Sequence, residues 1–568
     1  MSQNIVIIGA VALGPKAACR LKRLKPDSNV IMIDKDNLIS YGGCGIPYFI
    51  AGDISDSEQL QATTFHMLRD VKFFKEIKDV QAITNTEVLA IDREAKTVLV
   101  QSLIDQKQQQ IPYDKLVLGM GSTPRVLPIE GNQLDGIFTV SDLNKAITIK
   151  EELVAGKINK AVVIGAGAIG LEMAEALADL WEIETSVVEI MDQILPGIIS
   201  PQMARMAQHH MEENGLSFYM GEKVERFEGE SRVSKVITNN RTLEAELVIM
   251  AAGVTPNSKL AKDANLEVSP KGGIIVNKQM QTSDPDIYAG GDCVEIPNII
   301  TGKSGYYPLG SLANREGRVI GSNLAGNKQE FEGAIGSFVI KLFEISVANA
   351  GLSLKTALKE GFDAVSAFVV QFDRAHFLPD RNLMFLELVV EKGSGRVLGI
   401  HGLGDAGHAM VARVNAVAGI LKYKPTTMDI SNLELPYAPP FSSAMDILNT
   451  LGNVAENILA GKNKVIDIET FVEYWKKRET NESIFIDCRE SGNAEPFVNS
   501  YPKHWKNIPQ GQLRDRLSEV PQDKRIILIC NTGSRSYEAQ VILDHAGFRD
   551  IQNIQGGIAA IEKWGMNI

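Results

Sequence analysis

Ala161-Val162-Val163-Ile164-Gly165-Ala166-Gly167-Ala168-Ile169-Gly170-Leu171-Glu172-Met173-Ala174 is the stretch on which the fold turns. An unbroken apolar run suits a strand buried on both faces, as in a parallel sheet. Three glycines follow at the spacing that makes a tight turn, lets a pyrophosphate approach the backbone, and lets the next helix pack on the strand. The following strand, Thr185–Val188, ends in Glu189, 19 residues after Gly170. An acid there accepts a hydrogen bond from a ribose 2′-hydroxyl and repels a 2′-phosphate. The expected ligand is NADH, with NADPH less favoured.

The same plan recurs nearer the N-terminus. The apolar run Asn4–Ile8 ends in Gly9, then Ala10-Val11-Ala12-Leu13-Gly14 opens a helix-like segment to Leu24. A second strand, Val30–Ile33, ends in Asp34. Val11 stands where the middle glycine is usual, so this copy alone is a weak signal. Thr282-Ser283-Asp284-Pro285-Asp286-Ile287-Tyr288-Ala289-Gly290-Gly291-Asp292 adds a short strand ending in Gly-Gly-Asp, which puts Gly291 and Asp292 near a sugar or ribityl chain. Gly121 and Gly253, at two further strand ends, fit crossings between the modules. Two dinucleotide modules in one chain imply a flavin and a nicotinamide that exchange a hydride, hence FAD and NADH.

Between the first module and its partner lies Ser40-Tyr41-Gly42-Gly43-Cys44-Gly45-Ile46-Pro47-Tyr48-Phe49. A single cysteine among glycines is placed for close approach to a flat ring. A helix starting near Pro47 would favour its thiolate.

Gly9, Gly165–Gly170, Thr282–Asp292 and the lone Cys44 together resemble the single-cysteine flavoprotein disulfide reductases: coenzyme A-disulfide reductases, NADH oxidases and NADH-dependent persulfide reductases. Valine at the position of Val11 is common there. The resemblance implies Cys44 as the redox thiol. It also implies a dimerisation domain whose Leu435-Pro436-Tyr437-Ala438-Pro439-Pro440 segment reaches the partner subunit's flavin, with Tyr437 acting on the leaving thiol. Lys16, Arg20, Arg23, Ser40, Gly43, Lys72 and Asn314 match positions that hold coenzyme A. Gly43, Phe377 and Met445 depart from the polar residues usual at their positions.

The C-terminal part resembles a rhodanese domain. Ile526–Ile529 is an apolar strand that ends in Cys530-Asn531-Thr532-Gly533-Ser534-Arg535-Ser536 before a helix. Backbone N–H groups of such a loop, a helix N-terminus and Arg535 form an anion nest that favours a sulfur anion on Cys530. Cys488, next to another strand end, reads as structural.

The expected architecture is therefore α/β: two Rossmann-like dinucleotide-binding domains, an α+β dimerisation domain and a C-terminal α/β rhodanese domain. The expected boundaries are 1–120 with 250–328 for FAD, 121–249 for NAD, 329–451 for dimerisation, 452–465 for a linker and 466–568 for the rhodanese-like part. The composition agrees with a multidomain enzyme. The 568 residues are 44% hydrophobic and 23% charged, and the net charge of −12 argues against nucleic acid or an anionic membrane as partner. No apolar run is long enough for a membrane span, and residues 1–8 read as a strand rather than a signal peptide. Five scattered cysteines without pairing or zinc spacing suggest free thiols in the cytoplasm and no metal site. The expected function is NADH- and FAD-dependent reduction of low-molecular-weight disulfides, persulfides or polysulfides, coenzyme A-linked, by a homodimer with shared active sites. Cys530 would carry sulfane sulfur. The alternatives are an NADH oxidase or peroxidase cycling Cys44 through a sulfenate, or a flavin-based redox sensor, which needs no Cys530 cradle.

Overall fold

The computed structural model describes residues 3–566, which form two compact units. The first contains the chain up to Met191 together with Gly215–Ala334; the second contains Asp192–Asn214 and the chain from Ile335 onward.

Unit one is built twice from one plan. Its first sheet runs Ile287–Ala289, Lys115–Leu118, Asn4–Ile8, Asn29–Ile33, Gln81–Ile83, parallel throughout. Its second runs Ser217–Met220, Glu184–Glu189, Lys160–Ile164, Leu247–Met250, Ile137–Thr139, again all parallel. A three-stranded antiparallel meander accompanies each, Thr86–Pro112 and Val224–Glu244. The central strands are covered on both faces, which is why Ile5–Ile8 and Ala161–Ile164 are uninterrupted apolar sequence. The two crossings between modules pair with each other: Ser122–Pro124 lies antiparallel to Val254–Pro256. The helix Leu13–Leu24 packs along Gly310–Leu324, so residues far apart in sequence share one face of the first module.

Unit two holds a five-stranded antiparallel sheet, in the order Phe338–Leu342, Ile345–Gly351, Val397–Asp405, Leu383–Glu391, Ala364–Phe372. Helices His408–Ile420 and Ile447–Leu459 pack on it. The C-terminal sheet is parallel, in the order Val465–Ile466, Ile551–Ile554, Arg525–Ile529, Ser483–Asp487, Trp505–Asn507. Ile486, Cys488, Leu528 and Cys530 line one of its faces, and Phe485, Ile527, Ile529 and Trp505 the other. The expected fold class holds in all four parts. Among the described residues no helix is long and apolar enough to cross a membrane, and all five cysteines are free thiols.

Candidate active site

The glycine turns of the two modules are alike in atomic detail. A Cβ on Gly14 would lie 2.0 Å from the carbonyl oxygen of Gly9, and one on Gly170 would lie 1.9 Å from that of Gly165. No side chain fits at either place, so the third glycine is demanded by packing of the turn on its own helix. Gly9 and Gly165 have φ of +102° and +103° and press on Gly119 and Ala251. The middle position differs: a Cβ on Gly167 meets nothing within 4 Å. A side chain at that place therefore meets no protein atom in the second module, and the first module carries Val11 there, half-buried.

The acid at the end of the second strand also acts alike in both modules. Asp34 Oδ2 accepts the Ala10 N–H at 2.7 Å, and Glu189 Oε2 accepts the Ala166 N–H at 2.7 Å. Glu189 Oε1 accepts the Met191 N–H at 2.8 Å. Burial pushes the Asp34 carboxyl up, partly offset by the N–H groups of Asp36 and Ala10. Open, glycine-lined turns with an anchored acid at the ribose position suit one dinucleotide in each module. FAD would lie against Gly9, Gly14, Asp34 and the Gly290-Gly291-Asp292 end, and NADH against Gly165, Gly167, Gly170 and Glu189.

Gly121 and Gly253 both have positive φ and flank the paired crossings. Ser122 Oγ donates to Asp292 Oδ2 at 3.3 Å, and the Tyr306 hydroxyl donates to the Asp292 carbonyl at 2.9 Å. Behind Gly291 lies a residue that sequence reading missed. Glu316 is 2% exposed, its Oε2 accepts the Gly291 N–H at 2.6 Å, and burial pushes its carboxyl up to about 7. A lone glutamate on an otherwise apolar helix face was the available signal.

Cys44 lies in the short turn Gly43–Gly45, which leads into the helix Ile46–Ala51 with Pro47 in its first turn. The carbonyl end of that helix is held by the second module: Lys150 Nζ donates to Phe49 O at 2.7 Å, and Trp181 Nε1 donates to Ile50 O at 2.9 Å. The residue is exposed, yet its sulfur lies against Gly310, where an added Cβ would be 3.5 Å from Sγ. Gly310 opens the 15-residue helix Gly310–Leu324, so the helix N-terminus beside the sulfur is contributed from elsewhere in the chain as well as by Pro47. The expectation of a favoured thiolate needs correcting for the protein without ligands. Burial is the largest influence and raises the thiol, and the carboxyls of Glu172 and Asp292 add to it. Those carboxyls are themselves raised by burial, Glu172 to about 7. Glu172 and Asp292 thus act on Cys44 in the same direction as its burial.

The residues matched to coenzyme A divide into two groups and one outlier. Arg20 Nε donates to Ser322 Oγ at 2.9 Å and Arg23 Nε to the Cys19 carbonyl at 3.0 Å. Burial, with the guanidiniums of Arg318 and Arg23, pushes Arg20 down. With Lys16 on the same helix, this is a cluster of cations with like neighbours, the condition that favours a polyanion. Asn314 is exposed, one turn along the helix from Gly310, and its Nδ2 donates to the Gly310 carbonyl at 2.8 Å. Ser40 is buried with φ of +54°, its N–H held by Ala10 O at 2.8 Å; Gly43 is exposed beside Cys44. Lys72 stands apart, exposed in the first turn of Val71–Lys78.

In unit two, Tyr437 is 50% exposed on an extended segment. The segment is pinned by the Ala375 N–H on Pro439 O at 3.0 Å and by Arg413, which bridges Phe441 O and Asp446. Phe377, Phe441 and Met445 are exposed as well.

Cys530 ends the strand Arg525–Ile529. Its sulfur accepts the Gly533 N–H at 3.1 Å and the Ser536 hydroxyl at 3.3 Å. Gly557, with φ of +57°, lets the Ile558 N–H reach the Cys530 carbonyl at 2.9 Å. Arg535 is half-buried at the start of the helix Ser534–His545. Asp487 and Arg489 form a buried pair at 2.7 Å, with Trp505 Nε1 donating to the same carboxylate at 3.1 Å. Sequence reading gave Asp487 and Arg489 no role; their separation by one residue at a strand end was the signal.

Two dinucleotide turns and one thiol between the modules define a two-cofactor disulfide or persulfide reductase, joined to a domain with a second thiol held by the Gly533 N–H and the Ser536 hydroxyl. The family models agree. The chain belongs to the pyridine nucleotide-disulphide oxidoreductases over residues 3–316, with that family's dimerisation domain at 338–448 and a rhodanese-like domain at 454–563. The family depends on FAD and a nicotinamide nucleotide. The solved NAD-dependent persulfide reductase from A. fulgidus superposes with a TM-score of 0.91 at 35% identity, covering 98% of this chain and 99% of the other. The NAD(P)H coenzyme A polysulfide/persulfide reductase of Pyrococcus horikoshii is 34% identical over 80% of this chain and 98% of its own length. An NADH oxidase from Methanocaldococcus jannaschii is 32% identical over 80% of this chain and 99% of its own.

Proposed function

We propose that this chain uses NADH to reduce low-molecular-weight persulfides, polysulfides and disulfides carried on coenzyme A, with Cys44 as the redox thiol. The observation that carries this reading is Cys44 itself: an exposed sulfur between two dinucleotide modules, at a helix N-terminus and against Gly310. Cys44 Sγ attacks one sulfur of the substrate's S–S bond. A new S–S bond forms to Cys44, the old one breaks, and the departing sulfur leaves with the electron pair and takes up a proton. FAD, when bound, supplies the two-electron link between NADH and the sulfur held on Cys44. The cation cluster of Lys16, Arg20 and Arg23 suits the phosphates of the carrier, Ser40, Gly43 and Asn314 flank its thiol arm, and Lys72, which stands apart, adds charge further off. Glu189 favours NADH over NADPH.

The dimerisation domain supports a homodimer. The exposed apolar group of Phe377, Tyr437, Phe441 and Met445 suits a subunit contact, in which the partner subunit's Tyr437 would protonate the leaving thiolate. A phenol, with a pKa of about 10, is well matched to thiols. Cys530, with Arg535 and the Gly533 and Ser536 donors, carries sulfane sulfur. Free cysteines and use of NADH fit a cytoplasmic enzyme, and the net charge fits small-molecule rather than nucleic-acid partners.

Separate substitutions test the assignment. Cys44→Ser should keep its flavin yet lose turnover of coenzyme A persulfide and disulfide. Cys530→Ala should keep that turnover and lose sulfur transfer to cyanide. Normal persulfide turnover by Cys44→Ser would refute the role of Cys44. The likeness to an NADH oxidase favours a second reading, in which Cys44 cycles through a sulfenate. It predicts NADH turnover with oxygen or peroxide that exceeds turnover with the persulfide.

A further inference from the structure

We propose that Cys488 is a second working thiol of the C-terminal domain: it closes a disulfide with Cys530 and so discharges the sulfur that Cys530 carries. The proposal rests on the reading of Cys530 as a sulfur carrier. Its basis is strand register. Ser483–Asp487 and Arg525–Ile529 run parallel, with Ile486 opposite Leu528 and Asp487 opposite Ile529. The ladder continues one step further, since the Cys488 N–H donates to Ile529 O at 2.8 Å. Cys488 and Cys530 therefore occupy the next rung of adjacent strands.

Neighbouring strands lie about 4.8 Å apart, within the Cα separation of about 4.4–6.8 Å that a disulfide spans. The two side chains also leave the same face. Both pack with Ile486 and Leu528, whereas Phe485, Ile527 and Ile529 point the other way. Burial is the largest influence on Cys488 and raises its thiol well above the ordinary range, charge on Cys530 and Asp487 adds to it, and the Ile529 backbone and the Arg535 guanidinium oppose it, so Cys488 waits as a thiol. The strand end that carries Cys488 is fixed on both sides of it by the buried Asp487–Arg489 pair and by Asn507 Nδ2, which donates to Asp487 O at 2.9 Å and Arg489 O at 2.8 Å.

The step balances without an outside oxidant. With a persulfide on Cys530, Cys488 Sγ gives up its proton as it attacks Cys530 Sγ, and a bond forms between the two protein sulfurs. The bond from Cys530 Sγ to the outer sulfur breaks, and that sulfur departs with the electron pair and the Cys488 proton as hydrogen sulfide. Cys488 is oxidised from thiol to disulfide sulfur, the outer sulfur is reduced to sulfide, and Cys530 Sγ keeps its oxidation level. Two equivalents of a low-molecular-weight thiol reopen the protein disulfide. They leave as a small disulfide, the class of compound that the NADH-dependent part of the same chain reduces.

The test uses the full-length holoprotein carrying Cys44→Ser, so that no sulfur passes through Cys44. The protein is loaded with inorganic polysulfide, desalted, and left without thiol or NADH. A species about 32 Da heavier should appear and give way to one about 2 Da lighter than the starting protein, as about one equivalent of sulfide is released per chain. Non-reducing peptide mapping should join the Cys488 and Cys530 peptides. Adding Cys488→Ser or Cys488→Val should leave the heavier species in place and slow sulfide release by about tenfold or more. A heavier species that discharges equally fast in both Cys488 variants, or without the linkage, overturns the role of Cys488 alone. If no sulfur is gained on Cys530, the carrier reading fails and this step falls with it.

Discussion

Replacing Glu316 with glutamine should stabilise the flavin-holding unit increasingly as pH rises from 4.5 to about 7, and by a constant amount above that. Glu316 is buried against the Gly291 turn, and its carboxyl is raised from 4.5 to about 7 by burial, with a further push from Asp292. Below pH 4.5 it is protonated in both the native and the unfolded chain and contributes no pH dependence. Between pH 4.5 and 7 the unfolded chain releases the proton while the native state keeps it, so stability falls by about 1.4 kcal/mol per pH unit. The loss levels off above pH 7 at about 3 kcal/mol. Glutamine keeps a carbonyl for the Gly291 N–H and an N–H₂ where the acid carries its proton, but never ionises. Glu316→Gln should thus exceed the parent by under about 1 kcal/mol at pH 5 and by about 3 kcal/mol at pH 8. Urea unfolding at saturating FAD, followed by the rise in fluorescence of released flavin, reads this unit directly. A difference of the same size at both pH values, or a variant weaker than the parent at pH 8, would refute the argument.

Three other outcomes are expected. Gly170→Ala sets a Cβ 1.9 Å from the Gly165 carbonyl; the variant should retain FAD but lose about a hundredfold in kcat/KM for NADH, measured by anaerobic flavin bleaching. Glu189→Gln should narrow the preference for NADH over NADPH by about tenfold or more, and equal kcat/KM for the two nucleotides in the parent would remove the basis for it. Tyr437→Phe should slow persulfide reduction by about a hundredfold. Mixing it with Cys44→Ser under subunit exchange should restore activity through one intact shared site; mixed dimers without restored activity would rule out a site built by both chains.

Local spacing made much of this protein legible. An apolar strand, a glycine turn and an acid after the next strand impose close contacts within some thirty residues, so the two modules could be read from Asn4–Asp34 and Ala161–Glu189 alone. The loop Cys530–Ser536 is local in the same way: its donors, Gly533 and Ser536, are within six residues of the sulfur they hold. The first module folds on the same plan with Val11 in place of the middle glycine, and the matching Gly167 has no protein atom within reach of a Cβ.

What the sequence could not supply depends on groups that meet only after folding. A helix N-terminus near Cys44 could be foreseen from Pro47, but desolvation could not, because Gly310, Glu172 and Asp292 arrive from three other segments and together turn the expected shift upward. Glu316 is an ordinary glutamate until packing removes its water and gives it the Gly291 N–H as partner. Cys488 and Cys530 are separated by a helix, a short strand and a long turn, and nothing in their spacing pairs them. Hydrogen-bond register between two parallel strands does, because a shift of one residue would send the two sulfurs to opposite faces of the sheet. Turn geometry is a property of neighbouring residues and so is written in the chain. Solvent exclusion and register are properties of what the fold brings alongside, and only the tertiary structure decides them.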